Sequence, residues 1–110
     1  MEKNLKQVEE YWDTHLCGSQ YINEDYLTKK FFDEYREFRY KKEHHIMRLV
    51  DFPSAKGKDV LEIGLGVGAD STMWAKYAKS LTGVDLTNEA VKATRLHLEL
   101  LNLKGNIQQG

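Results

Sequence analysis

Between residues 60 and 68 the chain runs Val60-Leu61-Glu62-Ile63-Gly64-Leu65-Gly66-Val67-Gly68. A short apolar segment carrying an acid gives way to three glycines at alternate positions. This is the pattern of a buried parallel strand that hands over to a tight loop. In such a loop the backbone, rather than side chains, meets a ligand. Glycine serves there because it adopts φ > 0 at little cost and lets a flat or charged ligand touch the main chain. Seventeen residues after Gly68 comes Asp85, closing Leu81-Thr82-Gly83-Val84-Asp85, a second strand-like run that ends in a carboxylate. Together the two segments predict a nucleoside-type cofactor site at the carboxyl edge of a parallel sheet.

The residues around this pair alternate strand and helix. Lys58 to Ile63 is strand-like, and about Asp70 to Lys79 is a helix bearing Met73, Trp74, Tyr77 and Ala78. Leu81 to Asp85 is the second strand. A helix from about Asn88 to Asn102 follows, capped by Thr87, with Val91, Leu98 and Leu101 on one face. Gly105 is expected to terminate it, and Asn106-Ile107-Gln108-Gln109 opens a third strand. The order βαβα(β) predicts an α/β fold, a Rossmann-like parallel sheet with right-handed crossovers.

Residues 1–55 differ in character and are expected to form a helical cap preceding the sheet domain of residues 56–110. The first 52 residues are rich in aromatics and charge, with Gly18 their one glycine. Residues 3 to 13 suit a short helix carrying Leu5, Val8, Tyr11 and Trp12, and Cys17-Gly18-Ser19-Gln20 is a break. A longer helix is expected from about Tyr26 to Val50, with Phe31, Phe32, Tyr35, Phe38, Ile46, Leu49 and Val50 recurring at three- and four-residue steps. Asp51-Phe52-Pro53-Ser54 ends it, because the residue before proline is pushed out of the helical region.

Composition bounds the function. At 110 residues the chain is at most one domain. An apolar content of 41%, a charged content of 30% and a net charge of −1 describe an ordinary globular protein with no bulk attraction for a polyanion. No run approaches the ~20 apolar residues of a membrane helix, and Met1-Glu2-Lys3-Asn4-Leu5-Lys6 lacks the apolar core of a signal peptide. The single Cys17 fits a reducing, cytoplasmic setting. Two or three parallel strands with two crossover helices cover little of a sheet that normally needs both faces covered. The domain is therefore expected to be completed by further chain or by self-association.

At Val60–Gly68 and Asp85 the chain resembles the class I S-adenosylmethionine-dependent methyltransferases. Their first motif is a hydrophobic strand, an acid and three alternate glycines, and their second is an acid at the end of the next strand. Leu61-Glu62-Ile63-Gly64 and Val84-Asp85-Leu86 are also similar to the broad bacterial small-molecule methyltransferase group. The resemblance covers residues 57 to 104, and more loosely the preceding Tyr11-Trp12-Asp13, Cys17-Gly18-Ser19 and Arg39-Tyr40. It implies S-adenosylmethionine as cofactor, held by Glu62, Gly64, Leu65, Gly66, Gly68, Asp70, Asp85 and Leu86. Glu62 is then the partner of the methionine ammonium, and the helix N-terminus after the loop receives the methionine carboxylate. Asp85 accepts hydrogen bonds from the ribose hydroxyls, and Leu86 packs on adenine. A small-molecule methyl acceptor is implied, bound by residues beyond Gly110. No catalytic base is assigned.

A dinucleotide is the rival ligand. Gly64-x-Gly66-x-x-Ala69 satisfies the G-x-G-x-x-G/A spacing, with Asp85 about 20 residues on. A pyrophosphate would sit over the helix N-terminus, where Asp70 stands, with Glu62 just before the loop. Two carboxylates there repel a pyrophosphate and suit an ammonium and a sulfonium. A third reading keeps the fold as a non-catalytic binding or regulatory module.

Other features point to structure rather than chemistry. His44-His45 lacks further ligands at a metal-site spacing, so no metal is expected. Lys29-Lys30, Arg36, Arg39 and Lys41-Lys42 are interleaved with Asp33, Glu34, Glu37 and Glu43, which predicts a solvated helical face rather than a nucleic-acid surface. Tyr11, Trp12 and Tyr21 suit either core packing or a lid that favours a sulfonium by cation–π attraction.

Overall fold

A computed structural model of the chain describes residues 25–44, 46 and 49–110. The helix expected over residues 3–13, the break at Cys17-Gly18-Ser19 and the aromatics Tyr11, Trp12 and Tyr21 lie outside the described residues. In chain order the elements are α1 (Lys29–Lys42), a 3-10 turn (Phe52–Ala55), β1 (Asp59–Ile63), α2 (Ala69–Tyr77), β2 (Ser80–Asp85), α3 (Asn88–Leu100) and β3 (Asn106–Gln109).

The strands form one parallel sheet in the order β1-β2-β3. Ile63 pairs with Val84, and Asp85 with Gln109. Right-handed crossovers that step in a single direction lay their helices on a single face. The burial follows: Leu81, Gly83 and Ile107 lie under the helices, whereas Leu61 and Ile63 on the opposite face are 63% and 79% exposed. β1, read from the sequence as a buried strand, is thus covered on one face alone among the described residues, in line with the few helices available to cover the sheet.

Two apolar clusters fill the covered side. Leu65, Leu81, Val91, Leu98 and Ile107 pack between sheet and helices. Phe31, Phe32, Tyr35, Val67, Ala69, Ala90 and Ala93 join α1 to the starts of α2 and α3. Thr28 caps α1 by accepting from the Phe31 N–H at 3.2 Å, and Thr87 caps α3 by accepting from Ala90 at 3.1 Å. Arg95 forks from α3 onto the Ile107 carbonyl of β3 at 3.0 and 2.6 Å.

Two expectations about the helices change. α1 stops at Lys42 instead of running to Val50. The apolar stripe lapses where Lys41 and Lys42 follow Phe38, and a helix held mainly by tertiary packing ends where its packing does. Beyond it Ile46 is buried in a separate turn, whereas Leu49 is exposed. On α2, which bears the apolar Met73, Trp74, Tyr77 and Ala78, the fully buried positions are Ala69, Ser71 and Thr72. Trp74 is half-buried and meets the buried Phe52 ring edge-on at 4.5 Å, while Tyr77 faces solvent. At the end of α3 the left-handed residue is Asn102 (φ 60°), so Gly105 does not terminate the helix. Gly105 gives room instead: a Cβ there would lie 3.1 Å from Leu98.

Candidate functional site

Strand β1 delivers Glu62 and then the loop Gly64–Gly68 to the carboxyl edge of the sheet. Gly64, Gly66 and Gly68 all take positive φ, at 83°, 59° and 84°. The first two have open space where a Cβ would stand, so their backbone is approachable. Gly68 is different: a Cβ would lie 2.9–3.1 Å from Thr94 atoms, including its Cα, so α2 and α3 cross here in close contact. The loop is pinned at three points. Gly64 N–H donates to Val84 O at 2.9 Å, Leu65 N–H to Asp85 Oδ2 at 2.7 Å, and Gly68 N–H to Leu65 O at 2.9 Å.

Asp85 accordingly holds the loop from the end of β2. Its other oxygen accepts from the Thr87 N–H at 2.9 Å and the Thr87 hydroxyl at 3.2 Å. Leu65 turns its side chain into the core, leaving its main chain at the site. Leu86 is half-buried beside Asp85, and its carbonyl accepts from Gln109 at 2.9 Å.

A cleft of about 180 Å³ opens between the loop and α1, lined by Tyr35, Arg39, Glu62, Gly64, Leu65, Gly66, Val67, Ala69 and Asp70. Glu62 accepts from the Ser71 hydroxyl at 2.5 Å. Burial, with Asp70 and Asp85 nearby, pushes its pKa up to about 7 against the contact with Ser71. A half-buried carboxyl that resists ionisation is one whose charged form a cation would stabilise.

The structure alters the charge count at this cleft. Asp70 is not a free carboxylate: Arg39 Nε and Nη2 donate to its two oxygens at 3.1 and 2.8 Å, and the Tyr40 hydroxyl donates at 2.8 Å. The pairing holds the Arg39 guanidinium well above its ordinary pKa. Burial, followed by the charge of Asp70, raises the Tyr40 hydroxyl. Asp70 therefore enters the cleft balanced by Arg39, where the sequence alone reads as placing two unpaired carboxylates.

The expected solvated face of α1 is likewise corrected. Arg36 turns inward to Asp33, at 2.5 Å, and to His97, while Arg39 crosses to α2. Sequence reasoning missed Tyr35 and Arg39 as cleft residues. Their signal is the i, i+4 spacing from Phe31, which puts an arginine on an otherwise aromatic stripe. His44 is exposed, and the described residues contain no group of three metal-ligating side chains.

A parallel βαβαβ unit with a glycine loop, a strand-end Glu62 and a strand-end Asp85 defines the class I S-adenosylmethionine-dependent methyltransferases. Residues 28–104 match the family described as Nodulation protein S (NodS), and the chain belongs to that family.

The curated relatives similar to the chain carry methyltransferase names. It is 36% identical over 75 residues to the ubiquinone biosynthesis O-methyltransferase of Nitrosospira multiformis, covering 66% of this chain and 31% of that protein. It is 42% identical over 62 residues to a protein of Methanocaldococcus jannaschii provisionally named a protein N5-glutamine methyltransferase, covering 56% of this chain and 32% of that one. A solved Staphylococcus aureus structure, provisionally named a caffeoyl-CoA O-methyltransferase, covers 99% of this chain and 44% of its own at TM-score 0.46 and 12% identity. The chain spans about a third of the length of these two curated relatives.

Proposed function

We propose that this chain forms the cofactor-binding part of a methyltransferase that transfers the methyl group of S-adenosylmethionine to a small-molecule acceptor. The observation that carries this reading is the cleft itself: a half-buried carboxyl that resists ionisation, Glu62, beside a glycine loop whose Gly64 and Gly66 backbone stands open. A cationic amino acid moiety fits there, with Glu62 holding its ammonium. Gly64 and Gly66 would lie beneath the cofactor, Asp85 would hold the ribose, and Leu86 would flank the adenine.

When bound, S-adenosylmethionine supplies a methyl group on a sulfonium with a neutral thioether as leaving group. The chain's own work is then orientation and exclusion of water. Arg39 and Tyr40 keep Asp70 occupied, so the loop helix presents no competing anion to the cofactor's carboxylate. The relatives are named for different acceptors, an O-methylated one and a glutamine, so the acceptor is not carried over from either. A name from ubiquinone biosynthesis favours a small molecule over a protein. A cytoplasmic setting accords with the single cysteine. None of the helices among the described residues is long and apolar enough to cross a membrane.

Isothermal calorimetry with S-adenosylmethionine, its demethylated product and NAD tests the reading. Binding of the first two and not of NAD is expected. Binding of NAD with indifference to the others would overturn it in favour of the dinucleotide reading.

A further inference from the structure

His97 lies on α3 and does not line the cleft, yet it is fully buried and both ring nitrogens are engaged. Nδ1 stands 2.8 Å from the carbonyl oxygen of Val67, in the middle of the glycine loop. A carbonyl can only accept, so the proton is on Nδ1. That leaves Nε2 as a lone pair, and Arg36 Nη1 donates to it at 2.5 Å. Arg36 is itself fixed by Asp33, and the imidazole stacks on Phe32 at 4.2 Å and 21°. Burial pushes the His97 pKa down to about 4, in keeping with a neutral ring. Core filling does not account for this arrangement. A leucine would fill the volume and leave both the Val67 carbonyl and an arginine N–H without partners.

We propose that His97 is a positioning residue of the cofactor site, holding the glycine loop through the Val67 carbonyl and tying it to α1 through Arg36. The peptide plane that begins at Val67 C=O ends at Gly68 N–H, which closes the turn onto Leu65 O at 2.9 Å. Anchoring one end of that plane fixes the other, and with it the φ of Gly68, from which α2 starts. The line Asp33–Arg36–His97–Val67 thus transmits the placement of α1 to the loop. Its consequence for S-adenosylmethionine rests on the proposed function, while its consequence for the loop does not.

The test has a ligand-free arm and a ligand arm. In the 110-residue protein, nitrogen NMR of the His97 ring is expected to show the proton on Nδ1. A proton on Nε2 instead would overturn the proposal, whatever the variants do. His97→Leu should speed hydrogen exchange at Gly68 N–H by about tenfold. His97→Asn, whose amide nitrogen can take the place of Nδ1, should restore protection to within about twofold. Unchanged exchange in His97→Leu, or an asparagine no better than leucine, overturns the proposal. In calorimetry with S-adenosylmethionine, His97→Leu should bind about tenfold more weakly and His97→Asn should recover most of that loss. A wild-type protein that binds no S-adenosylmethionine would refute the cofactor reading and leave the exchange result to judge His97.

Discussion

Replacing Glu62 by glutamine tests the electrostatics of the cleft directly. The carboxyl titrates near 7 in the folded chain and near 4.5 when unfolded. Below pH 4.5 it is protonated in both states and adds no pH dependence. Between pH 4.5 and 7 only the unfolded state ionises, so the folded state binds more protons and stability falls as pH rises. Above pH 7 both are ionised and the loss is complete. The displacement corresponds to about 3 kcal/mol at most, and water entering the open cleft reduces this to about 1–3 kcal/mol. Glutamine keeps an oxygen to accept from Ser71 and carries no charge to desolvate. Urea unfolding followed by tryptophan fluorescence should therefore find Glu62→Gln more stable than wild type by about 1–3 kcal/mol at pH 8 and equal to it at pH 4.5. The same increment at both pH values would show that packing, not ionisation, sets the difference. The wild-type profile alone does not isolate this, because the lowered pKa of His97 makes stability rise with pH over the same range. A difference between Glu62→Gln and wild type that stays at zero from pH 4.5 to 8 would refute the reasoning outright.

Four further outcomes are expected. A cation placed on Glu62 draws its pKa down, so binding of S-adenosylmethionine near pH 6.5 should release a fraction of a proton. Calorimetry in buffers of different ionisation heat measures this, and no release would remove Glu62 from the ammonium. Asp85→Ala should weaken S-adenosylmethionine binding by about 2–3 kcal/mol and also lower the unfolding free energy by about 1–3 kcal/mol, because Leu65 and Thr87 lose their acceptor. Unchanged affinity denies the ribose role, and unchanged stability denies the loop anchor. Gly68→Ala should cost about 2–4 kcal/mol, against about 1 kcal/mol for Gly64→Ala, since only Gly68 adds contact with Thr94 to its positive φ; equal costs in urea melts would contradict the close crossing of α2 and α3. Arg39→Met should cost about 1–2 kcal/mol, most of it absent in an Asp70→Asn background. A double-mutant cycle with no coupling would refute the pairing.

What the sequence reveals and conceals here follows from the range of each interaction. The strand–loop–helix units are legible because they rest on local rules: alternate glycines, strand-end acids, and Thr87 three residues before the Ala90 N–H it caps. The backbone freedom required at Gly64, Gly66 and Gly68 is likewise written in the residue type. The ionic arrangement is not local. Arg39 and Asp70 are 31 residues apart, and Arg36 and His97 are 61 apart. From composition alone, α1 reads as a mixed-charge solvated helix; the aromatic stripe that carries Arg39 marks a packed face, but nothing in the segment names its partners on α2 and α3. The early end of α1 is hidden for a related reason: the step from Phe38 to Ile46 keeps helical spacing while the lysines between them bury nothing.

The three contacts at Asp85 have a consequence for how a sugar would be recognised there. A carboxylate offers about four lone-pair positions, and Leu65 N–H, Thr87 N–H and the Thr87 hydroxyl occupy three of them. A vicinal diol arrives with two donors for one vacancy. The longest of the three contacts is the hydroxyl at 3.2 Å, and a hydroxyl can swing aside while its oxygen still caps α3 through Ala90. Under the proposed function, ribose binding at this carboxylate would then be an exchange, with one sugar hydroxyl taking the free position and the other displacing Thr87. The two backbone donors, and the loop they hold, stay where they are.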